Sequence, residues 1–507
     1  MGNKYNALLE QVHEIHDLEK VTWLLSWDRE VIMPSKGNIA RTQQLSTINK
    51  LHHNLFTSDE MGALIESASE ELEQEETPYD TVPSALVRWL SREYKESRKI
   101  PADFVKRRDI LGGNALPAWK EARETNNFAL FAPHLTETIK LSQELAEYRA
   151  EAGQAAKYDA LLSAYERGIT TAEVKAIFDQ VKAETKPLIE AISQKSELVD
   201  DSFLHQPYPI DVQKEVAPHF AKAVGYDFSR GHLGTATHPF ASSFSRNDAR
   251  ITTRWYPEFI NPALFGVMHE SGHAIYEQGT SNDVARTPLA RGTSMGIHES
   301  QSRMMENLVG RSAGFWEAHF PVLQNAFPEQ LGTVSAERFY QAVNKVQPSY
   351  IRVEADELTY NMHIILRFEL EQEMVEGHLQ AKDLPDAWNA KMKELLGIMP
   401  PDDRLGCLQD IHWTRPSFGY FPTYALGNLY AVQLLEAAQS ADPQIKNELE
   451  KGQVTSLKRW LGENVHRYGR MFDPPELIQR ITGRSLTPEP FIGYVQKKFG
   501  AIYQLDL

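Results

Sequence analysis

The chain has 507 residues, 42% of them hydrophobic and 24% charged, a composition typical of globular proteins long enough to bury a large core. Its formal net charge of -16 argues against a nucleic-acid or membrane partner, because basic patches supply the attraction to phosphate backbones and anionic lipids. No stretch approaches roughly 18 apolar residues, so we expect no membrane span. The N-terminal residues show no apolar h-region, so we expect no signal peptide. The single cysteine, Cys407, excludes an intrachain disulfide and predicts a cytoplasmic protein with a buried structural thiol.

Apolar residues recur at helical spacing through most of the chain, beginning with a helix expected over residues 4–25. Further helices are expected over 38–72, 82–99, 101–153 and 171–195. A looser stretch from 199 to 218, which contains three prolines, marks a soft division between a helical N-terminal lobe, 1–200, and the remainder, 201–507. Since no repeat or low-complexity linker separates these lobes, 1–507 is treated as a single unit.

Residues 238–256 interrupt the helical pattern and predict a small sheet. They form two short β-prone runs with Asn247-Asp248 as a turn signal between them. A strand in this position, just before the helix described next, is well placed to pair with an extended peptide backbone.

The stretch V-M-H-E-S-G-H-A-I-Y contains His269, Glu270 and His273 in the pattern H-E-x-x-H. We expect a helix here, with Asn261 as its N-cap and Gly279 near its end. Positions i and i+4 share one helix face, so both imidazoles can point at one metal ion, while Glu270 can reach a water. The alternative is a pair of histidines on an ordinary helix, one buried and one solvated.

A hydrolytic metal site needs a third protein ligand and an open position. Glu299 lies 26 residues after His273, near the start of a second helix expected from Thr293-Ser294 to about Gly310. On spacing alone Glu299 is equally well explained as a cap of its own helix, since acidic residues are favoured in the first turn. His298 is the rival third ligand, although adjacent residues rarely face the same way on a helix.

A long helix is expected from Ser349 to Gly377 and carries Arg352 and Asp356 as an i, i+4 pair. One interpretation is a surface ion pair worth less than about 1 kcal/mol. The other is a guanidinium held by Asp356 so that it offers a bidentate fork to a substrate carboxylate.

The loop over residues 397–423 and the residue after it are rich in proline, glycine and aromatic residues, and include His412, Tyr420 and Tyr424. Loops with this many donors and rings often carry function, and a His or Tyr donor near a metal can stabilise an oxyanion. The alternative is a rigid aromatic loop that only packs on the core.

With these motifs together the sequence resembles the carboxypeptidase Taq family of metallocarboxypeptidases. The resemblance rests on segments found in order along nearly the whole chain. They are W-D-R-E-V-I-M-P at 27–34, Y-D-A-L-L-S-A-Y-E-R-G at 158–168, H-P-F at 238–240, D-A-R-I-T-T-R at 248–254, H-E-S-Q at 298–301, I-R-V-E-A-D at 351–356 and G-C-L-Q-D-I-H-W at 406–413.

The resemblance implies a catalytic centre. His269, His273 and Glu299 are the implied metal ligands, and Glu270 is the implied general base and acid. Arg352 is implied to bind the substrate's C-terminal carboxylate or to close the cleft near it. By wider analogy to helical H-E-x-x-H peptidases, His412 and Tyr420 are implied to stabilise the oxyanion.

The family also implies a mainly α-helical fold with a deep active-site groove, a small β-sheet beside it and a homodimeric assembly. The implied cofactor is one Zn²⁺ per chain, with Co²⁺ able to substitute. We therefore expect a metallocarboxypeptidase that releases single C-terminal residues from peptides with broad specificity. The alternatives are an oligopeptidase or dipeptidase with the same metal site and, more remotely, a non-catalytic peptide-binding protein.

Overall fold

The computed structural model describes residues 2–151 and 154–506, and it confirms a mainly α-helical chain with one small sheet. The chain forms two compact units. The first contains Met1–Arg98, Asp200–Val343 and Leu434–Arg484, and the second contains Lys99–Val199, Asn344–Gln433 and Ser485–Leu507. The soft division drawn at residue 200 is one of several points at which the chain passes between these units.

The helices in chain order are α1 (Asn3–Val31), α2 (Asn38–Phe56), α3 (Asp59–Gln74), α4 (Val82–Lys99), α5 (Ala102–Thr125), α6 (Ala132–Arg149), α7 (Lys157–Leu162), α8 (Thr171–Ser193), α9 (Ile210–Ala223), α10 (Asn261–Gly279), α11 (Met295–Arg303), α12 (Ala313–Ala326), α13 (Pro328–Leu331), α14 (Ala336–Val343), α15 (Tyr360–Glu376), α16 (Leu384–Leu396), α17 (Pro422–Ala441), α18 (Pro443–Leu449), α19 (Thr455–Asn464), α20 (Pro474–Thr482) and α21 (Glu489–Tyr503). Among the described residues, none of them is long and apolar enough to cross a bilayer. Cys407 is a buried free thiol, as expected.

The sheet belongs to the first unit and consists of β1 (Leu233–Thr235), β2 (Ala241–Ser245) and β3 (Asp248–Thr253) in the order β1-β3-β2. β3 pairs in parallel with β1 and antiparallel with β2, which confirms the hairpin expected in 238–256. β1 was not expected, because three residues are too few to show the alternation of apolar and polar residues that identifies a strand. The Thr253 hydroxyl donates to the Ala263 carbonyl at 3.3 Å, a bond that ties the sheet to the first turn of α10.

Several predicted helix limits are wrong. The helix expected from Ser349 begins only at Tyr360, because Asp356 accepts the N–H groups of Leu358 and Thr359 and so stabilises a turn. Asn261 is the first helical residue of α10 and does not cap it.

Other predicted helices are divided or were missed. The helices expected over 38–72 and 101–153 are each two helices, and residues 152 and 153 lie outside the described part of the chain. The first of these divides where Ser58 caps α3 by accepting the Met61 N–H. α9 occupies much of the stretch that looked irregular, with Pro218 inside it.

α10 and α11 cross at very short distance. A Cβ added to Gly272 would lie 2.3 Å from the Gln301 carbonyl oxygen and 2.6 Å from the Ser302 Cα. Ser294 caps α11 by accepting the Ile297 N–H, where the helix start was predicted. The backbone then continues as a π-helical turn over Met304–Val309.

We predict that Gly272→Ala destabilises the protein by about 1–3 kcal/mol, because the new methyl group meets backbone atoms that cannot rotate away. Gly462→Ala is the matched control in α19, where an added Cβ has no heavy atom within 4 Å, and it should stabilise by about 0.5–1 kcal/mol. Denaturant unfolding measures both, and a Gly272→Ala protein as stable as the unmodified chain would contradict the close crossing.

Candidate metal centre and associated polar clusters

α10 and α11 bring together the side chains of His269, His273 and Glu299 in the first unit. The Nε2 atoms of His269 and His273 lie 3.7 and 3.4 Å from Oε2 of Glu299, and the three donor atoms lie within 4.8 Å of one another. Two ligands about 2.1 Å from one ion at a tetrahedral angle are about 3.4 Å apart. The spacing and the mixed nitrogen and oxygen donors therefore fit one divalent metal ion.

Glu299 is held in place by its own helix. Arg303 donates to Oε1 at 2.7 Å and the Ser302 hydroxyl donates to Oε2 at 3.1 Å. Burial acts to raise the pKa of Glu299, but Arg303 and the two imidazoles outweigh burial and hold that pKa well below its usual range. The alternative that Glu299 caps α11 is wrong, since Ser294 fills that position.

His298, the rival third ligand, points at other partners. Its Nδ1 lies 2.6 Å from Nδ1 of His273, and its Nε2 lies 2.8 Å from Oε1 of Glu277. It is therefore not among the donors that converge with His269 and Glu299.

Two further glutamates were not predicted from the sequence: Glu277 contacts His298, and Glu306 contacts His269. Glu277 lies four residues after His273 on α10, a spacing that could have identified it. Glu306 accepts from His269 Nδ1 at 2.9 Å and lies in the π-helical turn. Turns of this kind are rare and carry no clear sequence signal, so the position of Glu306 was not predictable from helical periodicity.

Glu270 differs from the other carboxylates of the cluster. It is buried, and among the described residues no donor bonds its carboxylate. Burial raises the pKa of Glu270 to about 7. The group can thus exchange a proton near neutral pH, as a general base requires.

In the second unit Arg352 is buried and pairs with Asp410, so the predicted surface pair with Asp356 is wrong. Arg352 Nη2 donates to Asp410 at 3.0 Å and Nη1 donates to the Tyr360 hydroxyl at 3.0 Å, while Arg367 Nε donates to Asp410 at 2.7 Å. The predicted pairing failed because the α-helix starts only at Tyr360 and the backbone after Arg352 forms a short 3-10 turn, Arg352–Glu354, in place of an α-helical turn.

The second unit also gathers the aromatic residues of the loop around this pair. The rings of His412 and Tyr420 stack with centroids 5.5 Å apart, and Tyr420 contacts Tyr424 at 5.1 Å. The guanidinium carbon of Arg352 lies 5.0 Å from the Tyr424 ring. The loop therefore packs as a rigid aromatic cluster and also gathers polar groups. A packing role and a functional role are both compatible with this arrangement.

A buried carboxylate, Glu371 on α15, fixes this loop. It accepts from the Tyr158 hydroxyl at 2.6 Å, from the Trp413 indole N–H at 2.8 Å and from the Gly419 backbone N–H at 3.0 Å. Trp413 follows His412 in the sequence, and Gly419 precedes Tyr420. Glu371 therefore restrains the loop next to both residues.

Comparison with known proteins gives a consistent result. The family profile described as carboxypeptidase Taq (M32) metallopeptidase matches residues 7–499. The chain is 38% identical to thermostable carboxypeptidase 1 of Thermus thermophilus over 98% of this chain and 99% of that protein, and 38% identical to carboxypeptidase 1 of Bacillus subtilis over 95% of each. The crystal structure of an M32 carboxypeptidase from Deinococcus radiodurans aligns with a TM-score of 0.94 at 37% identity, over 99% of this chain and 100% of that one.

We predict a pH-dependent contribution of Glu371 to stability. Burial raises its pKa to about 7, so the protonated form stabilises the fold, and this stabilisation is lost as the pH rises through about 7. The stability advantage of the unmodified protein over Glu371→Gln should therefore fall by about 1 kcal/mol between pH 6 and pH 8. Denaturant unfolding at both pH values measures it, and parallel pH profiles would contradict the prediction.

Proposed function

Since the chain belongs to the carboxypeptidase Taq family of metallopeptidases, we propose that it removes single residues from peptide C-termini at a zinc ion bound by His269, His273 and Glu299. The observation that carries this proposal is the convergence of two imidazole nitrogens and one ionised carboxylate within 4.8 Å. Mixed nitrogen and oxygen donors of this kind suit Zn²⁺, and Co²⁺ accepts the same ligands. A divalent ion bound there supplies Lewis-acid polarisation of the scissile carbonyl and lowers the pKa of water.

Glu270 is proposed as the general base. It is adjacent to His269 in sequence, and its carboxylate has no competing hydrogen-bond donor among the described residues. A base whose pKa lies near neutral pH can take a proton from the attacking water and return it to the leaving amine nitrogen. The neighbouring Glu299, by contrast, stays ionised and suits a ligand.

Arg352 is proposed to bind the terminal carboxylate of the substrate. Two guanidinium groups, Arg352 and Arg367, share the single carboxylate of Asp410, so one positive charge of this trio is left for another anion. The hydrogen bonds of Arg352 to Asp410 and Tyr360 use Nε–H and one N–H of each terminal nitrogen, so one N–H on each terminal nitrogen remains to donate. Selection for a free carboxylate, with little demand on the side chain, gives an exopeptidase of broad specificity.

His412 and Tyr420 are proposed as donors to the oxyanion. Burial lowers the pKa of His412 to about 4, so its imidazole is neutral at pH 7 and carries one N–H donor. Stacking on Tyr420 and the bonds made by Glu371 support a fixed orientation of this ring.

A homodimeric assembly and a cytoplasmic location remain predictions that rest on the sequence.

Digestion of a synthetic peptide tests the proposed activity. We predict a ladder of products, each one residue shorter from the C-terminus, that disappears with a metal chelator and returns when Zn²⁺ is restored. The same peptide with a C-terminal amide should be cleaved at least about tenfold more slowly, because the charge-assisted pair with Arg352 is lost. Mass spectrometry separates the outcomes, and internal cuts or losses of two residues at a time would identify an oligopeptidase or a dipeptidase.

Replacement of the proposed base tests the chemistry. Glu270→Gln should bind one Zn²⁺ per chain but lose about 10²–10⁴-fold in kcat, since an amide cannot take the proton. Glu258→Gln, at an exposed carboxylate shortly before α10, is the matched control and should keep full activity. A metal-loaded Glu270→Gln protein that still hydrolyses peptides at the normal rate would falsify the assignment.

A further inference from the structure

The two candidate histidine ligands differ in what contacts their second ring nitrogen. A neutral imidazole carries one proton, and a histidine can offer Nε2 to a metal only if that proton lies on Nδ1. His269 Nδ1 contacts the Glu306 carboxylate at 2.9 Å, whereas His273 Nδ1 contacts another imidazole, that of His298, at 2.6 Å.

The tautomer of His269 follows directly from its partner. Glu306 is held by Arg303 at 3.2 Å and by Arg311 at 3.5 Å. A carboxylate paired with two guanidinium groups is ionised. An ionised carboxylate only accepts, so the proton of His269 lies on Nδ1 and Nε2 is left for a metal.

The tautomer of His273 depends on one more residue, because an imidazole partner can either donate or accept. Oε1 of Glu277 accepts from His298 Nε2 at 2.8 Å and from the Gly292 backbone N–H at 3.3 Å. The proton of His298 therefore lies on Nε2, and its Nδ1 can only accept. His273 must then donate from Nδ1, and its Nε2 is left free, 3.4 Å from Glu299.

Resting on the metal site proposed above, we propose that His298 and Glu277 are positioning residues that fix the proton of His273 on Nδ1 and so make it a metal ligand. His298 thus does not bind the metal itself but accepts a hydrogen bond from His273, which does. The arrangement is rigid, since Gly292 and Tyr276 pack against the His298 ring and an added Cβ at Gly292 would lie 2.5 Å from it.

Zinc titration in competition with a chelator tests this role in the full-length protein. His298→Phe keeps a flat ring but removes the acceptor, and should weaken Zn²⁺ binding about 10–100-fold. Glu277→Gln removes the carboxylate that fixes the His298 proton, and should weaken binding in the same direction. Glu448→Gln, at a carboxylate that bonds Ser456 in the same unit, is the matched control and should bind Zn²⁺ as the unmodified protein does.

A tautomer measurement keeps the test independent of folding defects. Nitrogen-15 NMR of the metal-free protein should show His273 protonated on Nδ1 in the unmodified chain and a mixture of tautomers in Glu277→Gln. If the unmodified protein binds one Zn²⁺ and both variants bind it equally tightly, the positioning role is overturned and the metal site stands. If the unmodified protein binds no Zn²⁺, or if Glu299→Gln does not weaken the binding, the metal site and the positioning role fail together.

Discussion

The close crossing of α10 and α11 at Gly272 is the constraint on which the candidate metal centre depends. Only a residue without a Cβ lets the backbone of Gln301 approach α10 at this distance. The crossing brings the Glu299 carboxylate of one helix to two imidazoles of the other. Gly272, inside the H-E-S-G-H pattern, therefore has a packing role, while His269, Glu270 and His273 are the residues proposed to carry the chemistry.

Three buried glutamates, Glu270, Glu277 and Glu299, and the half-buried Glu306 belong to the first unit and have opposite electrostatic environments. Arg303, Arg311, Lys20 and the imidazoles lower the pKa values of Glu277, Glu299 and Glu306 against the effect of burial. Among the described residues no donor bonds the Glu270 carboxylate, and burial outweighs the effects of His273 and Arg303 and raises its pKa to about 7. Carboxylates with separated pKa values can take separate roles, so the proposed ligand, positioning groups and base differ in the cations around each one.

Local spacing was enough to identify part of the site. H-E-x-x-H on a helix gave His269, Glu270 and His273, because residues one helical turn apart share a face. Glu299 was ambiguous from spacing and became specific only through the resemblance. Glu306 was missed because a π-helical turn breaks the 3.6-residue period on which the reading of helix faces relies.

Contacts between segments that are distant in the sequence also could not be predicted. Arg352 was paired with Asp356 because a continuous helix was expected, whereas its partner, Asp410, lies 58 residues away. Glu371 and its three donors likewise come from separate stretches of the second unit. Sequence patterns report the faces of single elements, and tertiary contacts such as these depend on how the elements pack.

Anomalous diffraction at the zinc absorption edge, from crystals of the protein soaked in Zn²⁺, tests directly whether α10 and α11 form the metal site. We expect one strong peak, bonded to Nε2 of His269, Nε2 of His273 and a carboxylate oxygen of Glu299, with Nδ1 of His269 still bonded to Glu306 and Nδ1 of His273 still bonded to His298. A peak bonded to His298 in place of Glu299, or no peak between α10 and α11, would contradict it.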